Sequence, residues 1–297
     1  MELQIVIGGA LGFLGLCLGS FAGAQVWRLR ARQLAEDKKA GEPYDKKEYK
    51  QLAQLRVHTG VDDRSRCLSC HHQLAWYDLI PLVSWVSTGG KCRYCRVGIG
   101  FFEPLIELST AALFVLAYNT WQPMLTQPVL LTQFILWLIA IVMLVILFAY
   151  DLKWFLLPDK IIYPLIGVSI LYAVLSLSQT SNMADSLVSL GGAVLIFSGI
   201  YLILWLVSSG RWIGFGDVKL GLVLGLLLGK WELALLALFL ANLIGCLIVI
   251  PGLLTKKLTR TTQVPFGPMM IAGFFIAAQW GGHIIDWYLS VTMSLVL

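Results

Sequence analysis

The sequence predicts an all-α polytopic membrane protein of about eight transmembrane helices, with a small four-cysteine zinc-binding loop domain. Three observations lead there. The 297-residue chain is 58% hydrophobic and only 13% charged, where a soluble domain carries about 25% charged residues. Its apolar residues fall into runs close to the roughly 20 residues needed to cross a bilayer core. Two Cys-x-x-Cys pairs lie together in the long polar stretch between the first two runs. The net charge of +5 carries no nucleic-acid signal, because the cations are segregated along the chain by topology. The partner this composition requires is the lipid bilayer.

The runs place spans at 3–27, 103–120, 129–150, 161–178, 186–208, 218–230, 232–254 and 267–290. The sixth is short for a full span. Residues 1–26 resemble a secretory signal, but no basic segment precedes the apolar run, and Arg28, Arg30 and Arg32 follow it. They read as a retained first helix. The domains expected are a first transmembrane helix over 1–27, a polar loop over 28–100 with a zinc module at 67–95, and a membrane core over 103–297.

The polar loop holds fourteen of the 22 Lys and Arg residues. By the positive-inside rule it is cytoplasmic. Alternation of spans then puts Lys153, Lys160, Arg211, Lys219, Lys256, Lys257 and Arg260 on the same side, with only Lys230 opposite. Within the loop, 32–66 is charge-rich and poor in large aliphatics, as in a solvated helix or a flexible segment. No internal repeat is visible.

Cys67-Leu-Ser-Cys70 and Cys92-Arg-Tyr-Cys95 are separated by 21 residues, close to the usual four-cysteine zinc spacing. Four thiolates suit tetrahedral zinc, and a site closed by four protein ligands is structural. His71 and His72 are expected at the surface, since four cysteines complete the shell. Cys17 and Cys246 fall within apolar runs and read as small core residues.

Five of the 17 acidic residues need explanation: Glu103, Glu107, Asp151, Asp159 and Asp217. Taken singly, a salt bridge or a helix cap explains each as well as catalysis does. Asp159 follows Pro158 and suits the cap of the next helix. Glu103 and Glu107 share a helix face and have Arg93, Arg96 or a substrate amine as possible partners. Lys153 and Lys219 each stand two residues from an acid that they are placed to neutralise.

Asp151 and Asp217 differ, because both fall at the same kind of boundary, on the same side, on different helices. Asp217 ends Gly214-Phe215-Gly216-Asp217, whose glycines permit a sharp turn or the close approach of another chain. Neighbouring carboxylates cannot both ionise easily, so one keeps a proton. The ionised member can then deprotonate water while the protonated one polarises a peptide carbonyl. A proton or cation site in a non-enzymatic transporter or scaffold is the alternative. Transporters, however, usually place such acids near the bilayer midplane and often show inverted repeats.

These motifs resemble those of the bacterial type IV prepilin peptidases, intramembrane aspartyl proteases of the Gly-x-Gly-Asp class. Gly19-Ser20-Phe21 with Arg28-Leu29 is similar to the family's first-helix motif. Arg66-Cys67-Leu-Ser-Cys70, Asp78-Leu-Ile-Pro81-Leu-Val-Ser84-Trp85 and Lys91-Cys92-Arg-Tyr-Cys95 resemble its cysteine-rich cytoplasmic loop. Pro104-Leu-Ile-Glu107 matches the start of its second helix. Asp151 followed by Leu157-Pro158-Asp159, and Gly214 to Lys219, resemble the two aspartate segments, and Pro265-Phe266-Gly267-Pro268 a late motif. The order of the matches is also the family's.

The resemblance implies a bacterial inner-membrane enzyme with its site facing the cytoplasm. It would cleave prepilin or pseudopilin leaders after a glycine and before the pilin's apolar helix. Asp151 and Asp217 would be catalytic, with Gly214, Gly216, Lys219 and Glu107 shaping the site. Many members also methylate the new N-terminal amine with S-adenosylmethionine. The chain departs from the family at Gly23, Arg30 and Gly100-Phe101-Phe102-Glu103, in the half to which methylation is linked, while both aspartate motifs stay intact. A preflagellin or presenilin-like protease shares the catalytic class but is not expected to carry the cysteine loop.

Overall fold

The computed structural model describes residues 2–57, 64–122, 125, 127–256, 259, 262 and 264–296. Lys257 and Arg260, two cations of the topology argument, lie outside the described residues. The described chain is helical, with no strand beyond two isolated bridges. Six of its helices are long and apolar enough to cross a membrane. The expected spans at 103–120 and 218–230 are helical too, but are not among those six. The chain divides into two compact units, one up to Asn119 and one from Thr120.

In the first unit, α1 (Glu2–Ala40) continues without a break from its apolar half into the charged segment. Its glycines set its packing on α5 (Phe102–Trp121). A Cβ at Gly15 would stand 2.7 Å from the Ala111 Cα, and one at Gly19 would stand 2.7 Å from the Glu107 Cα. This is a small-xxx-small seam, which lets backbones touch where there is no hydrophobic effect between helices to draw them together. The charged segment is not simply solvated. Two short helices, α2 (Lys46–Gln51) and α3 (Gln54–Val57), fold back so that Leu52 packs with Ala31 and Leu34 of α1. Arg30 pairs with Glu48 at 2.7 Å, and the Asp45 carboxylate caps α2 through the N–H groups of Lys47 and Glu48. A further short helix, α4 (Val83–Ser87), lies within the polar loop.

The second unit is built on α6 (Pro128–Trp154), which buries Leu144, Val145, Leu147 and Tyr150 among its neighbours. It packs against α7 (Asp159–Leu177) and α12 (Gly267–Val296). The next span is a single rod, Met183–Ser208. It comprises α8 (Met183–Val194), a π-turn at Leu195–Gly199 and α9 (Ile200–Ser208). The short α10 (Phe215–Leu228) lies in the interior, with Leu220, Val223 and Leu224 fully buried. Its Gly221 and Gly225 bring it into backbone contact with that rod: a Cβ at Gly221 would stand 2.6 Å from the Phe197 carbonyl oxygen. Finally α11 (Trp231–Leu254) pairs with α12, where Gly273 meets the Ala237 backbone.

Large apolar side chains such as Ile203, Phe239 and Leu247 point outward, as expected of a surface that faces lipid tails rather than water. Cys246 shares that surface on α11 and Cys17 is half-buried, so neither is the enclosed core residue expected from the sequence.

Candidate active site and metal centre

Asp151 lies in the last turn of α6 and is 5% exposed. The helix stops four residues later because Phe155 adopts a left-handed conformation, φ 56 and ψ 36, with its N–H bonded to the Asp151 carbonyl. The backbone N–H of Gly267, at the start of α12, donates to Asp151 Oδ2 at 3.1 Å. A helix N-terminus has N–H groups to spare and a partial positive charge, so this carboxylate is held by dipole and hydrogen bond together.

Asp217 sits in the first turn of α10, its N–H donating to the Gly214 carbonyl at 3.1 Å. Its charge interacts with that of Asp151. The structure thus brings the two acids together across 66 residues of sequence. Leu157 is the wedge between their supports. A Cβ at Gly216 would stand 3.1 Å from the Leu157 Cβ, and one at Gly267 would stand 3.6 Å from Leu157 Cδ2.

Of the two expectations for the glycines, a sharp turn and a close approach, only the second is seen, at Gly216. Gly214 has φ −74 and ψ 148, ordinary extended backbone, and Gly216 is not left-handed either. No sharp turn requires them. Gly216 is needed for the close approach of Leu157. At Gly214 an added Cβ would meet nothing nearer than Asp217 Oδ2 at 3.7 Å, so the fold itself leaves that position open.

Two expectations about neighbouring charges are corrected. Asp159 does not cap α7: Pro158 occupies the cap, with no side-chain cap bond. Asp159 instead accepts from Lys219 Nζ at 2.6 Å. Lys219, placed by sequence to neutralise Asp217, reaches across to α7 and also lies over the rings of Tyr163 and Phe215. Lys153 lies over the Trp154 ring.

In the first unit, the four sulfurs of Cys67, Cys70, Cys92 and Cys95 lie within 4.8 Å of one another, with Cys67 and Cys95 at 3.9 Å. Zinc–sulfur bonds of about 2.3 Å in a tetrahedron place sulfurs about 3.8 Å apart. The tetrad can hold a metal. Each pair is carried on the same knuckle. The Cys67 N–H donates to the His72 carbonyl and the His71 N–H to the Cys67 carbonyl; Cys92, Val97 and Arg96 repeat both bonds. Arg66 bridges Gln73 as Lys91 bridges Gly98, and His71 and Arg96 are both left-handed. A local duplication is present after all, hidden because only the cysteines are shared in sequence.

The Cys67 and Cys92 thiols are unequal. Burial pushes the Cys67 thiol up to about 12. Burial works upward on Cys92 too, but the N–H groups of Cys95 and Tyr94 and the Cys67 thiol outweigh it and lower that thiol to about 7. His72 is exposed and stacks on Tyr94 at 3.7 Å. Asp78 binds Arg93 at 2.9 Å, the Tyr94 hydroxyl at 3.0 Å and the Ala75 N–H at 3.2 Å. Burial works to raise its carboxyl, yet these partners hold it below the usual range.

Arg93 is thus committed to Asp78 and not to the glutamates. Glu107 accepts from the Leu82 N–H at 2.8 Å and from Ser20. Leu82 is strained, with φ 57 and ψ −45, its flanking residues closed by a 2.5 Å bond from the Val83 N–H to the Pro81 carbonyl. Glu107 pins this γ-turn, which gives the Asp78-to-Trp85 motif a physical role. Glu103 accepts from Trp27 Nε1 through Oε1, and its Oε2 is buried with no hydrogen-bond partner.

Residues 13–121 match the family described as Bacterial Peptidase A24 N-terminal domain, and residues 137–250 match the Type IV leader peptidase family. A protein of Aeromonas salmonicida named prepilin leader peptidase/N-methyltransferase is 33% identical over 237 residues, covering 77% of this chain and 76% of the relative. The chain belongs to the type IV leader peptidase family. Proteins of the same name from Pseudomonas aeruginosa, 29% identical over 93% of this chain and 91% of the relative, and Bacillus subtilis, 30% identical over 79% and 88%, are also similar. No solved structure matches. With its six apolar helices, this leader peptidase is a multi-pass membrane protein and a peptidase. The transporter and scaffold alternatives gain no support from either match.

Sequence reasoning missed two residues at the acid pair, Leu157 and Gly267, and Tyr201, whose hydroxyl interacts with the Asp217 charge. Gly267 was signalled only by its place in Pro265-Phe266-Gly267-Pro268. Leu157 was likewise signalled only by its place in Leu157-Pro158-Asp159; nothing in the sequence tells that two glycines will close on it.

Proposed function

We propose that this peptidase removes the leader of type IV prepilins or pseudopilins at a Gly–Phe-type bond on the cytoplasmic side of the bacterial inner membrane, using Asp151 and Asp217 as its catalytic pair. One observation carries the reading: a buried acid and a half-buried one, each in a family motif, interact at the ends of different helices, the buried Asp151 fixed by the Gly267 N–H. One carboxylate, ionised, takes a proton from water as the water oxygen attacks the carbonyl carbon. The other, protonated, donates to the carbonyl oxygen and later supplies a proton to the leaving nitrogen as the C–N bond breaks. The space at Gly214 favours an extended substrate backbone beside Asp217.

The Cys67, Cys70, Cys92 and Cys95 thiolates suit structural zinc, which would tie the two knuckles together. The names of the relatives pair the peptidase with an N-methyltransferase, and we extend that second activity to this chain. S-adenosylmethionine supplies an activated methyl group when bound. The buried, unpartnered Glu103 Oε2 is an atom that fits a cationic group such as the ones this donor carries.

The test is cleavage of a prepilin by purified enzyme in proteoliposomes, read by mass. Asp151→Asn and Asp217→Asn should each abolish leader removal while expression and metal content stay normal. Persistent cleavage by either variant would sink the two-acid mechanism.

A further inference from the structure

Tyr201 is the second residue of α9, immediately after the π-turn. It is 3% exposed, and its hydroxyl is buried with no hydrogen-bond partner. Leaving such a group unsatisfied is destabilising, and a phenylalanine would fill the same space without that cost. The hydroxyl is not remote from the chemistry. It interacts electrostatically with the Asp217 carboxylate. Its ring meets Phe266 edge-on at 5.6 Å, and Phe266 precedes the Gly267 that holds Asp151.

The backbone explains how a tyrosine in an apolar rod comes near Asp217. The π-turn inserts one extra residue into the helix, which rotates everything after it by roughly 100°. Ser198, inside that turn, donates to the Val218 carbonyl at 3.0 Å, tying the turn to α10 one residue beyond Asp217. Tyr201 thereby follows directly on a turn that is anchored to the start of α10. In the free enzyme its hydroxyl is bonded to neither acid, although both lie in the same unit.

We infer that Tyr201 is a third catalytic group of the peptidase, whose hydroxyl donates a hydrogen bond to the oxygen of the scissile carbonyl. The inference rests on the acid-pair reading. When the water oxygen bonds to the carbonyl carbon, the π electrons of the C=O bond move onto that oxygen. A singly protonated acid pair offers it one donor, and the Tyr201 O–H offers a second from another direction. The phenol keeps its proton throughout; the acid pair alone moves protons. Fixed donors aimed at a developing oxyanion are worth most in a site closed to water. The orphan hydroxyl is thus satisfied when substrate arrives, and most fully as the oxygen gains charge.

The experiment compares wild type, Tyr201→Phe, Asp151→Asn and Asp217→Asn in proteoliposomes, on a prepilin bearing leader, Gly–Phe junction and apolar helix. For Tyr201→Phe we expect kcat to fall on the order of 100-fold, with KM within about twofold and thermal stability unchanged or raised. Difluorotyrosine at position 201, which keeps the donor, should restore kcat to within about tenfold of wild type. Wild-type kcat in Tyr201→Phe alongside two inactive Asn variants would overturn the Tyr201 role and leave the acid pair standing. So would a loss of activity accompanied by lower stability, or a difluorotyrosine enzyme as slow as the Phe variant. Cleavage by either Asn variant would overturn the acid pair, and the Tyr201 role with it.

Discussion

The N–H of Gly267 and the carboxylate of Asp151, 116 residues apart, form a buried 3.1 Å hydrogen bond. The bond depends on the missing side chain, because a Cβ at position 267 would stand 2.7 Å from Asp151 Oδ2. Gly267→Ala should therefore displace the carboxylate while leaving the chain folded. A shift of about 1 Å in a reacting group costs on the order of 100-fold in rate, and that is the fall in kcat expected in the proteoliposome assay. Cleavage at the wild-type rate would show that Asp151 acts without this support.

The cysteine tetrad gives a prediction in the other unit. If it holds structural zinc, thiolate ligation contributes to the folding of the loop. Cys67→Ser should lower zinc content and protease resistance over residues 67–95 together. Removal of the metal by a chelator should do the same to wild type. Elemental analysis showing no zinc in the pure protein, or a full complement in Cys67→Ser, would rule the zinc centre out.

Helix type and most helix positions were legible in the sequence, because apolar runs of bilayer length have few alternatives. So was the cysteine tetrad, where ligand chemistry fixes the spacing. Side-chain partners were not. Asp159 has the right position for a cap, but a neighbouring helix offered Lys219, and a direct ion pair displaced the local solution. Gly216 marks a close approach rather than a turn, and the partner it admits, Leu157, could not be named from sequence. The π-turn at Leu195–Gly199 had no sequence mark at all, since a single extra residue leaves the apolar character of the run unchanged.

The Asp159–Lys219 pair separates support from chemistry. Asp159 is half exposed, its side chain retaining 54% of its accessible area. Exposed pairs contribute about 0–1 kcal/mol. Asp159→Asn should therefore keep at least about half of the wild-type cleavage rate and nearly the same stability. Complete loss of cleavage by a folded Asp159→Asn would mean that the partner of Asp217 has been misassigned.

The meeting of Asp151 and Asp217 also constrains topology, independently of charge. From Asp151, α7 leaves that side of the membrane and the 183–208 rod returns to it, so Asp217 starts α10 on the side where Asp151 ends α6. The same logic applies to Gly267, which touches Asp151 at the start of α12. If α11, a 24-residue helix long and apolar enough to span, crosses once, its first residue lies on the opposite side and α10 carries the chain there. At 14 residues, α10 spans about 21 Å, short of the roughly 30 Å hydrocarbon core. Lys230, two residues after its end, is the single cation assigned away from the polar loop, and its long side chain can reach the interface. Reporter fusions after Gln122, Ser181 and Lys230 should therefore behave as extracytoplasmic, and those after Gln54 and Asp159 as cytoplasmic. Cysteine labelling at position 230 by an impermeant maleimide should agree. A cytoplasmic signal at Lys230 would mean that α10 is a re-entrant helix, and that the chain reaches Gly267 by a route that does not require α11 to cross.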